Sequence, residues 1–192
     1  MRDFVHPDPI PESYVHNQFR FQILHPRLVE LDYQALMSSK DFLRRWSQSE
    51  WPRDDFSLEE NLADLNYHYE EQVERIAFTY SILDPFSTTC LGCFYIKAIQ
   101  AVQLLRSEKE LLRDFSHLCS YWVIDKIRGT SLDEEILSAI DKWLNDCWEF
   151  PGLFFTSNPH IPEMDNLFQT NGRKLFLKLA RPNRYQHCWK TR

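Results

Sequence analysis

Apolar residues recur along the chain with two different spacings, and each spacing predicts its own kind of element. Residues 19–24 (FRFQIL) alternate between apolar and polar side chains, which is typical of a strand. A capping box that begins at Ser57 opens a segment with apolar residues four, three and four positions apart, which is helical spacing. In chain order the pattern predicts a strand at 19–24, helices after Asp32 and after Ser57, strands at 76–83 and 88–99, a helix at 101–115, a strand at 118–125, a helix after Ser131, a strand at 153–156, a helix from Pro162, and strands at 174–181 and 185–189.

This order of elements predicts a mixed α/β fold with a central, mostly antiparallel sheet flanked by helices. Residues 1–18 contain Pro7, Pro9 and Pro11 and are predicted to be an N-terminal arm without regular structure. Residues 19–192 are predicted to be a single domain, because a chain of this length buries roughly 70% of its unfolded surface in one core.

Composition and charge exclude several classes of protein. Glycine supplies only 4 of the 192 residues, so a glycine-rich dinucleotide fingerprint is excluded. The net charge of -6 argues against a nucleic-acid partner, which would need a basic surface. Because no apolar stretch approaches the ~20 residues of a membrane span and no apolar leader opens the chain, we expect a cytoplasmic protein without a membrane partner.

Two of the five cysteines, Cys90 and Cys93, form a C-x-x-C pair that could be half of a redox or zinc site. They fall within the strand predicted at 88–99, where residues three apart point to opposite faces. No second Cys or His pair follows at zinc spacing. We therefore expect no metal, and a redox or metal protein remains an alternative that metal analysis would decide.

The segment 126–131 (KIRGTS) joins a predicted strand to a predicted helix. Amides at a helix N-terminus are unpaired, and together with the helix dipole they bind anions such as phosphate. Gly129 lets the backbone approach a ligand closely, and Lys126 and Arg128 add positive charge. Ser131 and Glu134 form a second capping box. The alternative is an ordinary turn from strand to helix.

From this loop onward the chain resembles the GCN5-related N-acetyltransferases (GNAT), a superfamily with a shared acetyl-coenzyme A fold. The family signature is Gln or Arg, two residues, Gly, one residue, then Gly or Ala, and it stands here as Lys126-Ile-Arg-Gly129-Thr-Ser131. The flanking strand and helix fit the family's fourth strand and third helix. Residues 153–158 and 162–170 fit its fifth strand and fourth helix, so that the resemblance covers about residues 19–189.

The resemblance implies an enzyme that moves an acetyl group from acetyl-coenzyme A to a primary amine of a small or peptide acceptor by direct attack. Backbone groups of Val123 and Ile124 would pair with the pantetheine arm, and amides across 128–131 would hold the pyrophosphate. Asn158 would lie near the pantetheine and Phe168 near the thioester. The implied set of cofactor-binding residues is Val123, Ile124, Lys126, Arg128, Gly129, Thr130, Ser131, Asn158 and Phe168.

Phe168 departs from the family pattern, because many relatives have a tyrosine there whose hydroxyl protonates the leaving thiolate. A positioned general acid contributes typically ~10²- to 10⁴-fold, so its loss slows the reaction without forbidding it. Tyr121, Ser157 or a water could take its place.

The acceptor amine must also lose a proton, which costs about 4.6 kcal/mol at pH 7 for a lysine-like amine. The candidate bases are Asp114 and His117 before the central strand and His68 and Glu71 on the helix after Ser57. Residues 54–74 contain eight carboxylates and no Lys or Arg. In this fold they would flank the acceptor groove and favour a cationic acceptor.

A second hypothesis is a catalytically weak or inactive module on the same fold that binds acyl-coenzyme A or another protein. The degenerate loop and Phe168 both favour it. The abundance of aromatic side chains is compatible with a homodimer.

Overall fold

The computed structural model describes residues 6–102, 105–148, 150–181 and 184–191. Within these residues eight strands form one sheet in the order β1-β2-β3-β4-β5-β6-β8-β7. The elements are β1 (Ser13–Val15), β2 (Arg20–Ile23), α1 (Val29–Ser38), α2 (Lys40–Ser47), α3 (Leu58–Val73), β3 (Ala77–Leu83), β4 (Cys90–Ala98), α4 (Arg106–Leu111), β5 (His117–Val123), α5 (Ser131–Cys147), β6 (Leu153–Ser157), α6 (Pro162–Thr170), β7 (Lys174–Arg181) and β8 (Arg184–Lys190).

The sheet is antiparallel at every neighbouring pair except β5 and β6, which run parallel. This confirms the predicted fold class. None of the described helices is long and apolar enough to cross a bilayer.

The two faces of the sheet are covered by different helices. On β5, Tyr121 bonds to a residue of α5, and on the neighbouring β4 the ring of Phe94 packs against Trp143 of α5 at 5.8 Å. Ser120 lies on the opposite face of β5, because side chains alternate along a strand. That face also contains Tyr95 of β4, which is the register partner of Ser120 and packs against α2 and α3 through Trp46 and His68.

Strand β4 contains an irregularity in its pairing with β3. Gly92 pairs with Ile82, but the next residue of β3, Leu83, pairs with Cys90, so that Leu91 is an extra residue in the strand. An extra residue shifts the alternation of the residues before it. For this reason the prediction that Cys90 and Cys93 point to opposite faces is wrong, and both thiols lie on the side of α1.

Gly92 makes this irregularity possible. Its φ is +149°, which side chains rarely allow, and a Cβ there would lie 2.1 Å from the carbonyl oxygen of Trp122. The expectation that Gly92 marks a bulge and a close approach of backbones is confirmed.

Three local predictions differ from the structure. The arm predicted at 1–18 includes a short strand, because Ser13–Val15 pairs with β2; its first five residues lie outside the described part of the chain. Asp32 is a buried residue inside α1 and not an N-cap, since a 3₁₀ turn at Pro26–Leu28 leads directly into the helix. The helix predicted at 101–115 is reduced to α4, and residues 103 and 104 of that segment are not described.

Candidate functional site

A cleft opens where the parallel strands β5 and β6 separate. The two strands pair only from His117 with Leu153 to Cys119 with Phe155. Beyond Cys119, β5 continues to Val123 with β4 on one side and no strand of the described chain on the other. The backbone of residues 120–123 therefore offers hydrogen-bonding groups toward the gap, where an extended amide chain could pair with it.

The loop at the end of β5 leads into the N-terminus of α5. Thr130 is the N-cap residue, and its side chain makes no capping bond. The N–H groups of the first helical turn, from Ser131 onward, have no acceptor within the helix. Gly129 has φ +71°, as a left-handed turn requires. Ser131 is already helical, so this position does not need the glycine or alanine of the signature.

A buried carboxylate occupies part of this helix N-terminus. Asp133 is 2% exposed, and its Oδ2 accepts a hydrogen bond from the Gly129 N–H at 2.9 Å. Its Oδ1 accepts one from the Tyr121 hydroxyl at 3.0 Å. Burial raises the pKa of Asp133 above the usual range of an aspartate. The capping box predicted at Ser131 and Glu134 is wrong, because the helix starts at Ser131 itself and Asp133 folds back instead.

The two cations predicted for the loop have different surroundings. Arg128 is held by Asp125 at 2.7 Å and by Glu163 at 3.2 Å, and its guanidinium lies 4.0 Å from the ring centroid of Phe42. Lys126 is exposed. The charge of Arg128 is therefore largely neutralised within the protein, whereas Lys126 can turn toward an anion at the helix N-terminus.

Tyr121 and Phe168 lie in the core on the α5 side of the sheet. Tyr121 is 1% exposed, its hydroxyl donates to Asp133, and burial raises its pKa well above the usual range. Phe168 is fully buried, with its ring centroid 5.9 Å from those of Phe155 and Trp189. Neither residue is among those that line the large pocket on the opposite face of the sheet, and their places at the thioester stay predictions.

That pocket has a volume of about 710 Å³ and lies at the point where β5 and β6 separate. Its wall is formed by α2, α3 and the strands β4, β5, β6 and β8, and it includes aromatic, charged and hydroxyl-bearing side chains. Among the lining residues are Trp46, Trp51, Tyr95, Asp64, His68, Lys97, Arg184, Ser120, Ser157 and Asn158.

His68 is the imidazole of this pocket. Its Nδ1 lies 3.1 Å from a carboxylate oxygen of Glu71, and its Nε2 lies 3.9 Å from Asp64. Burial raises the pKa of Asp64, while the nearby His68 opposes that shift. A histidine whose one nitrogen is fixed by a carboxylate keeps the other for proton transfer, as a general base requires.

The other two predicted bases lie away from the pocket. The side chain of Asp114 is 85% exposed. His117 is at the start of β5, at the end of the strand opposite to the loop, and burial lowers its pKa to about 4. The structure brings together His68, Glu71 and Ser157 from the sequence-based candidates, and it leaves Asp114, His117 and Tyr121 apart from them.

Ser157 at the end of β6 takes part in a hydrogen-bond network that sequence reasoning missed. Its hydroxyl donates to Asp165 of α6 at 2.5 Å and accepts from Trp189 Nε1 at 2.8 Å. The second oxygen of Asp165 lies 2.6 Å from His187 Nδ1. No local motif could have found this network, because it joins residues of three separate elements.

Asn158 follows Ser157 and closes the same end of the cleft. Its amide nitrogen donates to the carbonyl oxygen of Arg45, and its Oδ1 accepts from the His160 N–H at 3.0 Å. Asn158 thereby ties the end of β6 to α2, which is the helix that supplies Trp46 to the pocket.

Comparison with solved structures finds acetyltransferases with the same fold over almost the whole chain. The ribosomal-protein-S5-alanine acetyltransferase from Vibrio fischeri matches with a TM-score of 0.67 over 94% of this chain and 95% of its own, at 11% identity. A GNAT-family acetyltransferase from Bordetella pertussis matches with a TM-score of 0.67 over 95% and 100%, at 12% identity. The microcin C7 self-immunity acetyltransferase MccE, in complex with acetyl-CoA and AMP, matches with a TM-score of 0.68 over 91% and 92%, at 10% identity.

No protein-family model matches the sequence, and a search of curated proteins finds none similar to it. The identities to the solved structures are low, so what they show is the fold. The chain has the GNAT acetyltransferase fold that the sequence resemblance predicted.

Proposed function

We propose that this protein is an N-acetyltransferase that moves the acetyl group of acetyl-coenzyme A to a primary amine. The observation that carries the proposal is the parting of β5 from β6 beside the N-terminus of α5. The strand edge at residues 120–123 could pair with pantetheine amides and leads to a helix terminus suited to phosphate, and Ser120 of the same strand lines the pocket. The solved structure of MccE with acetyl-CoA supports this assignment.

The cofactor would lie along residues 120–124 and end at the loop. Val123 would pair with the pantetheine arm through its backbone, whereas the Ile124 N–H already donates to the Leu91 carbonyl oxygen at 2.9 Å and the Ile124 carbonyl oxygen accepts from Ile127 and Arg128. The amides of the first turn of α5 would hold the pyrophosphate, with Lys126 as the mobile counter-charge. Asn158 would face the pantetheine from the other strand and shape the cleft through its bond to Arg45.

In the reaction, the acceptor nitrogen attacks the thioester carbon, the C–S bond breaks, and coenzyme A leaves as a thiol. The attacking amine must be neutral, and we assign the removal of its proton to His68, oriented by Glu71. A thiol with a pKa of about 8.5 is a tolerable leaving group, so its protonation is the lesser demand. Ser157 is the candidate acid, because the residue lines the pocket and Asp165 fixes its hydroxyl.

The acceptor pocket contains charges of both signs, which refines the expectation of a cationic acceptor. Asp64 lines it, but so do Lys97 and Arg184. The carboxylate suits the amine, and the two cations suit an acidic group elsewhere on the same molecule. We therefore favour an acceptor that carries both an amine and an anionic group, such as an amino acid or a peptide N-terminus.

The test is turnover with acetyl-coenzyme A across a panel of amines, monitored by thiol release. The panel should pair each amine with a version that also carries a carboxylate or phosphate. We expect thermal stabilisation by acetyl-coenzyme A and release of thiol with at least one acceptor. Absence of stabilisation at millimolar acetyl-coenzyme A would overturn the proposal.

The second candidate is a module that binds acyl-coenzyme A without catalysis, favoured by Asp133 in the anion position and by Phe168 in the core. It predicts stabilisation by coenzyme A and no thiol release with any amine of the panel. Steady turnover with one amine would reject it.

A further inference from the structure

Three side chains that can bind a metal converge on the face of β4 that also presents Tyr95 to the acceptor pocket. One ligand atom from each of Asp32, Cys90 and Cys93 lies within 4.8 Å of the other two. The Cys93 thiol donates to Asp32 Oδ1 at 3.5 Å, and the Cys90 thiol donates to the carbonyl oxygen of Gly92. The relative exposures of the three side chains are 4%, 3% and 1%. This geometry exists only because the extra residue at 91 turns Cys90 to the face of Cys93.

A fourth polar group borders the cluster. Asn61 of α3 is fully buried, and its amide nitrogen donates to Asp32 Oδ2 at 3.0 Å and to the Val29 carbonyl oxygen. The amide oxygen of Asn61 has no hydrogen-bond partner among the described residues. Burial of an oxygen without a hydrogen-bond partner costs about 1–3 kcal/mol, because its lost hydration is not replaced by another hydrogen bond. The amide nitrogen is the atom that faces Asp32, so binding of a cation through the Asn61 oxygen requires the amide group to turn over.

The cluster is costly without a cation. Asp32, Cys90 and Cys93 are all almost completely buried, so the charge of an ionised ligand there has to be compensated within the protein. A divalent cation would supply that compensation, because it stabilises the deprotonated form of every ligand.

We propose that Cys90, Cys93 and Asp32 form a closed structural zinc site, with the Asn61 amide oxygen as the fourth ligand once the amide has turned over toward the cluster. Sulfur and carboxylate ligands in a small buried cluster suit Zn²⁺. Binding forms two Zn–S bonds and releases one proton from each thiol to solvent, together with the Asp32 proton where that carboxyl is protonated. No electron is transferred.

The site would add metal bonds between three elements that already meet through packing and through the hydrogen bonds of Asp32 and Asn61. Asp32 lies on α1, Asn61 on α3 and the cysteines on β4. Helix α3 also supplies Asp64 and His68 to the pocket wall. The metal would therefore fix that wall to the sheet. Metal binding at this site does not depend on acetyl transfer, and the measurements that test it do not involve that activity.

The experiment begins with wild-type protein that is reduced, stripped with a chelator and returned to chelator-free buffer. Equimolar Co²⁺ serves as the probe, since a thiolate ligand gives it a charge-transfer band in the near ultraviolet and a tetrahedral site gives intense visible bands. We expect both bands at one Co²⁺ per chain, their loss when Zn²⁺ is added, and one zinc per chain by elemental analysis. Absence of metal and of both bands would overturn the proposal.

Single variants test which residues bind. Cys93→Ser and Cys90→Ser should each remove the charge-transfer intensity of one thiolate and weaken metal retention at least tenfold. Cys119→Ser is the matched control, because Cys119 is also buried in a central strand but lies outside the cluster, and it should leave the spectrum unchanged. Unchanged metal spectra in Cys93→Ser would overturn the proposal. A reduced protein that excludes metal and reoxidises to a species two hydrogens lighter would also overturn it, in favour of a Cys90–Cys93 disulfide.

Discussion

Replacing Asp133 by asparagine should tighten the binding of acetyl-coenzyme A. Asp133 places a carboxylate within hydrogen-bond distance of the Gly129 N–H, at the helix terminus where the pyrophosphate would lie. Asparagine has nearly the same shape, can still accept from the Gly129 N–H and removes the charge. The repulsion between the carboxylate and the phosphates should then disappear.

The size of the effect comes from Coulomb's law. Two unit charges about 6 Å apart repel by about 2.8 kcal/mol at an effective dielectric constant of about 20. Counting one phosphate charge, and halving the value for screening by salt, leaves about 1.4 kcal/mol. That is about a tenfold lower Kd.

Calorimetry with acetyl-coenzyme A at pH 7 is the assay. Glu134→Gln is the matched control, because Glu134 lies in the same turn and carries the same charge but is more exposed. It should change Kd by less than twofold. Equal or weaker binding by Asp133→Asn would refute the reasoning that the carboxylate competes with phosphate.

The pH dependence supplies a second check. The folded-state pKa of Asp133 is raised, so the folded protein holds this proton more tightly than the unfolded chain does. The charged carboxylate therefore destabilises the fold at pH values above its raised pKa, and this cost disappears as the pH falls through the pKa toward the unfolded value. The affinity advantage of Asp133→Asn should shrink over the same range. A constant advantage at all pH values would contradict the assignment.

Three further changes have definite expectations. His68→Gln removes the proposed base and should lower kcat by roughly 10²- to 10⁴-fold with little change in the KM for acetyl-coenzyme A. His160→Gln is the control at an exposed histidine, and a fully active His68→Gln enzyme would exclude His68 as the base. Gly92→Ala should lower the free energy of unfolding by about 3 kcal/mol through backbone strain and overpacking, which is roughly 6–12 °C in Tm. In Gly172→Ala, where a Cβ meets no atom within 4 Å, the decrease should be less than half of that. Equal decreases in the two variants would show that the contact of Gly92 with β5 does not matter. Asp141→Asn leaves the buried guanidinium of Arg173 without its ion-pair partner and should cost about 3–5 kcal/mol in denaturant unfolding, so a loss below 1 kcal/mol would mean that the pair is dispensable.

The elements of the fold could be predicted from sequence because they depend on local periodicity. The stripe after Ser57 and its capping box specify α3, and the alternation at 19–24 specifies β2. Strand order and the parting of β5 from β6 could be reached only through the family resemblance, since they depend on contacts between distant segments. The resemblance also places the loop at 126–131 correctly, at the N-terminus of α5.

The side chains of the site were less predictable for two physical reasons. Tyr121 and Ser120 are adjacent in sequence, yet only Ser120 faces the pocket, and which one does so depends on the register of β5 against its neighbours. Asp165 and His187 come together with Ser157 only through tertiary packing. A capping-box pattern at Ser131 does not predict the contacts of Asp133. The helix begins one residue earlier than that pattern implies, and the Asp133 side chain therefore accepts from the Gly129 N–H.

The extra residue at position 91 changes which face of the sheet is occupied by the residues that precede it in β4. On one side of it the strand presents Cys90 to α1, and the Leu91 carbonyl oxygen itself accepts a hydrogen bond from the Ile124 N–H at 2.9 Å, where the loop before α5 begins. Deleting Leu91 would restore regular alternation, and it would both turn Cys90 away from Asp32 and release the start of that loop. Leu91 itself is not among the residues that line the pocket, yet its deletion would disturb the proposed metal site and the proposed cofactor site together. Sequences that share this fold but lack the extra residue should lack both the paired thiols and this anchor of the loop.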